Sequence, residues 1–392
     1  MRWKSIIWNG LFVAALCLAG FLLYRIFQQY SLDDIARSVH SIPFSTFCAG
    51  LLFAAASYLC LSCFDLLAIC SLGKSLPYRK ILLASFVSLS LGHNIGFAGL
   101  SSGAFRYRYY SRWGLTAEDV AKIILFCGVT VGLGLTTLGA LALIVNPDDA
   151  ARLLRIDPAG ARLFGLLALA VPAAYAGLAF FVRGRLRLWR WSFQLPKISI
   201  ALAQVGVGTI NFMFVSACLH QMLAVFGDVA FFRSVTAYVF ANSAILATHV
   251  PGGLGVLEAT VSYAVPKEAS IGALIAFRCA YFFIPLALGS VLLFISEINA
   301  HAGRAKRRTS APRPSRRRGR KGRAGSKIAV PATGETLPES ATENSLRPRA
   351  PSFSVSIVPI IEPLCTQAAA KLSTDVPRYS ESRRLRSSAI AR

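Results

Sequence analysis

Four ionisable side chains stand inside otherwise apolar stretches: Asp65 in "CLSCFDLLAIC", Arg106 in "LGHNIGFAGLSSGAFR", Glu258 in "ATHVPGGLGVLE" and Arg278 in "RCAYFFIPLALG". A charge near the centre of a bilayer costs about 2.5–3.5 kcal/mol or more, so each needs a partner or a task. The residue types suggest anion handling. A guanidinium fork offers two parallel donors to phosphate oxygens. A carboxylate beside it can balance the arginines or attract an ammonium group. Arg278, Tyr281, Pro285 and Gly289 also follow one helical stripe, with Arg278 and Tyr281 as its polar end.

The glycines of "VPGGLG" add a second device, because backbone N–H groups at a helix N-terminus form an anion-binding nest. The predicted substrate-binding set is therefore Arg106, Arg108, Gly252, Gly253, Gly255, Glu258, Arg278 and Tyr281. Asp65, His93, Asn94, Asn242 and His249 are expected to line the same polar path. A structural role competes at each. Arg106 and Arg108 suit cytoplasmic anchors, Glu258 and Arg278 an ion pair fixing helix register, Asp65 a helix–helix bond, and His93 and His249 packing. The sequence has no HExxH or P-loop pattern, so no catalytic residue, metal or cofactor is expected. Cys60 and Cys63 form a CxxC pair with no second pair beside it, which reads as packing.

The elements that must hold these residues are membrane helices. Of 392 residues, 55% are hydrophobic and only 15% are charged. The apolar residues come in runs of about 20, the length that crosses roughly 30 Å of hydrocarbon. Eight candidate segments lie at 5–27, 43–72, 81–105, 122–145, 163–182, 199–226, 230–262 and 269–298. The first follows Arg2 and Lys4 as a signal peptide would. It is too long for one and has no small-residue cleavage site, so it is read as a span.

Charge then decides which segments cross. Lys/Arg excess falls at the N-terminus, at 74–80, at 106–122 and in "RGRLRLWRWSFQLPK" at 183–197. Eight full crossings would put 106–122 and 183–197 outside, against the positive-inside rule. The conflict disappears if 81–105 and roughly 236–262 enter the membrane and return on the side they came from. These are also the two segments broken by glycine-rich turns, each followed by a charge, Arg106 or Glu258. Paired, interrupted segments in two halves of a chain point to a transporter's binding site, since freed backbone is tolerated only where protein or water satisfies it. The expected architecture is all-α: a polytopic helical bundle of about six full spans plus two re-entrant segments. Residues 1–300 would form the transmembrane domain. From His301 the sequence turns to "RAKRRTSAPRPSRRRGRKGRAGSK" and then Pro/Ser/Thr/Glu-rich, so 301–392 is predicted to be a disordered, basic cytoplasmic tail. Much of the net charge of +24 resides there. Contact with anionic headgroups suits it, and no nucleic-acid module accompanies it.

"YLCLSCFDLLAICSLGKSLPYRK", "SGAFRYRYYSRWGLTAEDVAKI", "PGGLGVLE" and "RCAYFFIPLALG" resemble, in the same order, the lysylphosphatidylglycerol synthase/flippase transmembrane family. The resemblance covers about residues 1–300. It implies a multi-pass protein of a bacterial plasma membrane, and in the best-known members translocation of aminoacylated phosphatidylglycerol between leaflets. Members that synthesise that lipid carry a large soluble domain after the membrane region. The polar residues after the last span here are too few to form such a core, so lysyltransferase activity is not expected. The expected role is a flippase for a phospholipid or lipid-linked amphiphile, with membrane phospholipids as partners. The alternatives are a membrane subunit for a lipid-modifying enzyme, or a non-transporting scaffold.

Overall fold

The computed structural model describes residue 40 and residues 42–95, 98–182, 185–188, 191–194, 196–266 and 271–309. The segment 5–27 and the tail beyond 309 lie outside them. The described chain is helical apart from one short hairpin, as the sequence leads one to expect. Among the described residues, five helices are long and apolar enough to cross a membrane. They are α1 (Phe44–Ser71), α4 (Ala117–Val145), α6 (Pro158–Phe181), α7 (Ile198–Leu223) and the final run Ile271–Asn299. These match five of the six expected spans.

The two interrupted segments are each a pair of helices folded back on one another. α2 (Tyr78–Ile95) packs along α3 (Ala98–Arg112). α8 (Phe231–Thr248) packs along α9 (Val256–Ala264), with a single 3₁₀ turn, Pro251–Gly253, between them. A short helix, α5 (Pro147–Leu154), follows α4. The final run opens as α10 (Ile271–Arg278), widens to a π-helical turn at Cys279–Phe283, and continues as α11 (Ile284–Thr309). That last helix runs on past the composition change at His301.

Local chemistry sets several of these boundaries. α4 starts at a capping box: the Asp119 N–H donates to Thr116 Oγ1 at 3.2 Å, and the Thr116 N–H donates to Asp119 Oδ2 at 2.7 Å. α6 starts with Asp157 accepting from the Gly160 N–H, followed by proline at the first helical position. The basic connection after α6 forms strands β1 (Arg185–Leu188) and β2 (Trp191–Gln194), antiparallel with Arg185 opposite Gln194. The alternation in "RLRLWRWSFQ" accounts for strand here, since a period of two cannot build a one-sided helix.

α1 and α7 pack together at the centre, with α4 crossing α7 and α6 outside them. The α4–α7 crossing is glycine on glycine. A Cβ on Gly134 would fall 2.3 Å from the Gly208 carbonyl carbon, so no side chain fits there. Only 17% of the apolar window of α6 is buried, and Leu163, Phe164, Leu167 and Phe181 face outward, as lipid contact requires.

Chain order places the two helix pairs on opposite sides. α1 ends, and α4 begins, at the face carrying Lys74; the α2/α3 hairpin therefore opens there. α4 crosses to the face of Asp149, α6 returns and α7 crosses again, so the α8/α9 hairpin opens at the Asp149 face. The tips meet inside. The Pro251–Gly253 turn packs against α2, where a Cβ on Gly252 would lie 3.7 Å from the Asn94 carbonyl oxygen.

Candidate functional site

Each hairpin is fastened by one arginine–carboxylate pair with a buried arginine. In the first, Arg106 on α3 grips Asp65 on α1. Its Nε lies 3.1 Å from both carboxylate oxygens, and Nη2 lies 3.0 Å from Oδ1. The guanidinium reaches back to Ser102 Oγ at 2.9 Å. Asp65 also accepts from Tyr110 O–H at 2.8 Å and from the Cys127 thiol at 3.1 Å. Asp65 is fully buried and Arg106 is 3% exposed. Three elements, α1, α3 and α4, are thereby joined at one carboxylate.

The second pair explains the acid and turn in the α8/α9 hairpin. Gly252, Gly253 and Gly255 all have positive φ, between 60° and 79°, where a side chain would be strained. The chain can reverse there, but the turn leaves carbonyls without helical partners. Arg278 supplies them: Nη1 donates to Gly252 O at 2.9 Å and Nη2 to Gly253 O at 3.0 Å. The same guanidinium holds Glu258, through Nε to Oε1 and through Nη2 to Oε2 at 2.8 Å. Glu258 in turn accepts the Gly255 N–H at 2.9 Å and so caps the start of α9. One ion pair therefore serves both broken ends. Removing one partner of such a pair typically costs about 3–5 kcal/mol, because the other charge stays buried.

Between the pairs lies an uncharged polar cluster. Ser57 Oγ donates to Asn211 Oδ1 at 2.8 Å and lies 3.2 Å from the Tyr281 hydroxyl. Tyr281 sits in the π-helical turn directly after Arg278, a backbone irregularity often found at functional sites. The His93 ring lies alongside Tyr281, centroids 6.5 Å apart, with Tyr58 against both. His93 stands near the tip of the first hairpin, so this cluster joins α1, α2, α7 and the last span.

The sequence-predicted residues fall into three groups. Asp65, Arg106, Glu258, Arg278, Tyr281, Gly252, Gly253, His93 and Asn94 are gathered at the hairpins and the cluster; Asn94 donates to Ser90 O at 2.8 Å. Arg108 lies at the base of the first hairpin, where Nε and Nη2 hold Glu297 at 2.8 Å and 2.7 Å. Asn242 is half-buried on α8, Gly255 is exposed, and His249 is exposed with left-handed φ at the end of α8. Arg106, Arg108 and Arg278 each engage a carboxylate of the protein. Sequence reasoning passed over Ser57, Asn211, Tyr110 and Cys127, because single neutral polar residues in an apolar run carry no local signal. Among the described residues, no group of three or more His, Cys, Asp or Glu side chains could hold a metal ion.

The sequence matches the lysylphosphatidylglycerol synthase TM region over residues 10–289. Protein slr0712 of Synechocystis sp. is 30% identical over 280 residues, 70% of this chain and 86% of its own length. Inner membrane protein YbhN of Escherichia coli is 30% identical over 260 residues, 64% of this chain and 80% of its own. A phosphatidylglycerol lysyltransferase of Staphylococcus haemolyticus is 22% identical over 240 residues, 59% of this chain but 27% of its own length. The hairpins and both ion pairs lie inside residues 10–289, the stretch that the family matches. This integral membrane protein belongs to the lysylphosphatidylglycerol synthase transmembrane-region family.

Proposed function

We propose that this chain transfers a phospholipid or lipid-linked amphiphile between leaflets of a bacterial inner membrane. One observation carries the reading: two broken-helix hairpins open on opposite faces and meet at their tips beside a polar cluster. Broken helices within the membrane concentrate polar backbone where a substrate headgroup must pass, while acyl chains stay in lipid. Similarity to an inner membrane protein and to a phosphatidylglycerol lysyltransferase supports the membrane and the lipid class. The proposed binding groups remain Arg106, Arg108, Arg278, Glu258, Tyr281 and the glycine turn, with Asp65, His93, Asn94, Asn242 and His249 along the path. In this reading the Lys74 face and both termini are cytoplasmic, residues 1–300 form the transport domain, and the basic tail contacts anionic headgroups.

The test is a leaflet-resolved lipid assay in proteoliposomes containing the purified chain. Transfer above protein-free vesicles, lost in Arg278→Ala, is expected. Headgroup modification without transfer would instead favour a membrane subunit of a lipid-modifying enzyme, the reading to which the lysyltransferase similarity lends weight.

A further inference from the structure

α1, the α2/α3 hairpin and α4 begin at residues 44, 78 and 117, while α7, the α8/α9 hairpin and the final run begin at 198, 231 and 271. The separation is constant at about 154 residues, and the order of span, hairpin and span is the same. One span, α6, lies between the two sets. A single intervening crossing sets the second unit upside down relative to the first.

Packing repeats with the order. α2 lies against α11, the last span of the second unit, and α8 lies against α4, the last span of the first. α1 and α7 lie against each other, and the hydrogen bond between Ser57 and Asn211 joins residues 154 apart. Contact between equivalent residues is what a two-fold axis produces. The return arms correspond as well: Gly103 precedes Arg106 by the same interval as Gly255 precedes Glu258.

We propose that the chain is an inverted repeat whose two hairpin bases are alternating gates, one closed by Glu297 at the Lys74 face and one by Asp149 at the opposite face. This rests on the transport reading above. At the Lys74 face, Glu297 on α11 receives Arg108 at 2.8 Å and 2.7 Å and Arg112 at 2.6 Å and 2.8 Å. Beside it, the Tyr109 hydroxyl lies 2.7 Å from Ser296 Oγ. At the Asp149 face, Arg233 at the base of α8 stands 3.6 Å from Asp149, just beyond α4. Arg152 stands 3.7 Å from the same carboxylate. The first gate is closed by short hydrogen bonds, whereas at the second both arginines stand beyond hydrogen-bond range of Asp149, which Asn146 Nδ2 holds at 2.6 Å. Each gate ties a hairpin of one unit to the end of the other unit. Rocking one unit against the other therefore tightens one gate as it frees the other.

The experiment uses the full-length chain, freed of its native cysteines, in vesicles. Ser296→Cys reports the Lys74 face and Ser234→Cys the Asp149 face, each read by the rate of maleimide labelling. Glu297→Gln is expected to speed labelling at position 296 roughly fivefold and slow it at 234. Asp149→Asn is expected to do the reverse. If Glu297→Gln fails to assemble, Arg112→Gln opens the same gate and stands in for it. Labelling that rises at both positions, or changes at neither, would overturn the proposal. Reciprocal labelling in vesicles that move no lipid keeps the gates and removes the lipid reading. Lipid transfer with non-reciprocal labelling does the opposite.

Discussion

Ser57 and Asn211 meet across the α1–α7 contact through a hydrogen bond of 2.8 Å, 154 residues apart in the chain. Both are buried, and the Tyr281 hydroxyl is 3.2 Å from Ser57 Oγ. The bond therefore sits where the central helices and the π-helical turn converge. Breaking it leaves a buried polar group short of a partner, a cost of about 1–3 kcal/mol. Asn211→Ala should lower the thermal midpoint in detergent. The exchange of Ser57→Asn with Asn211→Ser places the same groups on opposite sides of the contact and should recover most of the loss. An exchange as unstable as the sum of its single variants would remove the case for equivalence.

Glu258→Ala and Arg278→Ala should each harm function more than removal of residues 310–392. The ion pair satisfies the carbonyls of Gly252 and Gly253 and caps α9, so either loss frees the turn as well as a charge. The expected cost is about 3–5 kcal/mol. Activity must be compared at matched membrane levels, with Arg278→Lys as a further variant. Lys keeps the charge but cannot serve two carbonyls and a carboxylate from one plane, so it should recover little. A tail deletion that alone abolishes activity would reverse the assignment.

Asp65 and Arg106 should behave as a coupled unit. Asp65→Asn leaves Arg106 buried without its counter-charge, and Arg106→Gln does the same to Asp65. Each single change is expected to cost about 3–5 kcal/mol, and the double change markedly less than their sum. Thermal unfolding of the four proteins in detergent measures this. Additive losses would mean that Tyr110 and Cys127, which also bind Asp65, carry its fastening.

Orientation follows from where the hairpins open. If the Lys74 face is cytoplasmic, the β1–β2 connection shares that side, because α6 ends and α7 begins there. A cysteine at Arg187 in a cysteine-free chain should resist membrane-impermeant maleimide in intact cells and react after permeabilisation. Reaction from outside would contradict the re-entrant path of 81–105.

Much of this arrangement is legible in the sequence. The apolar lengths locate five of the described spans, and the clash between charge and crossing number singles out the two segments that fold back. Pro251 and the glycines after it mark the turn: proline cannot continue α8, and Gly252, Gly253 and Gly255 take positive φ without a side-chain clash. The ion pairs are legible as charges but not as pairs. Nothing near Arg106 indicates that it meets Asp65 rather than Glu258, since the choice is made by how α3 packs on α1. The π-helical turn at Cys279–Phe283 and the Ser57–Asn211 bond are tertiary facts without a local pattern. The β-hairpin has a local signal, the alternation in "RLRLWRWSFQ", but the same basic residues equally suit an irregular cytoplasmic loop.

Substrate charge gives the last test. Arg106 is balanced by Asp65 and Arg278 by Glu258, so the buried centre of the bundle holds two full pairs and no net charge from them. A purely anionic headgroup gains little there, because each guanidinium is already engaged and its release would strand a carboxylate. A zwitterionic headgroup can exchange with such a pair, its phosphate taking the arginine and its ammonium group the acid. Aminoacylated or zwitterionic phospholipid should therefore move faster than phosphatidylglycerol in reconstituted vesicles. Glu258→Gln keeps the side-chain shape and the acceptor for the Gly255 N–H but leaves Arg278 positive. That change should favour the anionic lipid and narrow the gap. Equal transfer of both lipids, unaltered by Glu258→Gln, would make the pair a purely structural fastening of the turn and would remove the headgroup exchange.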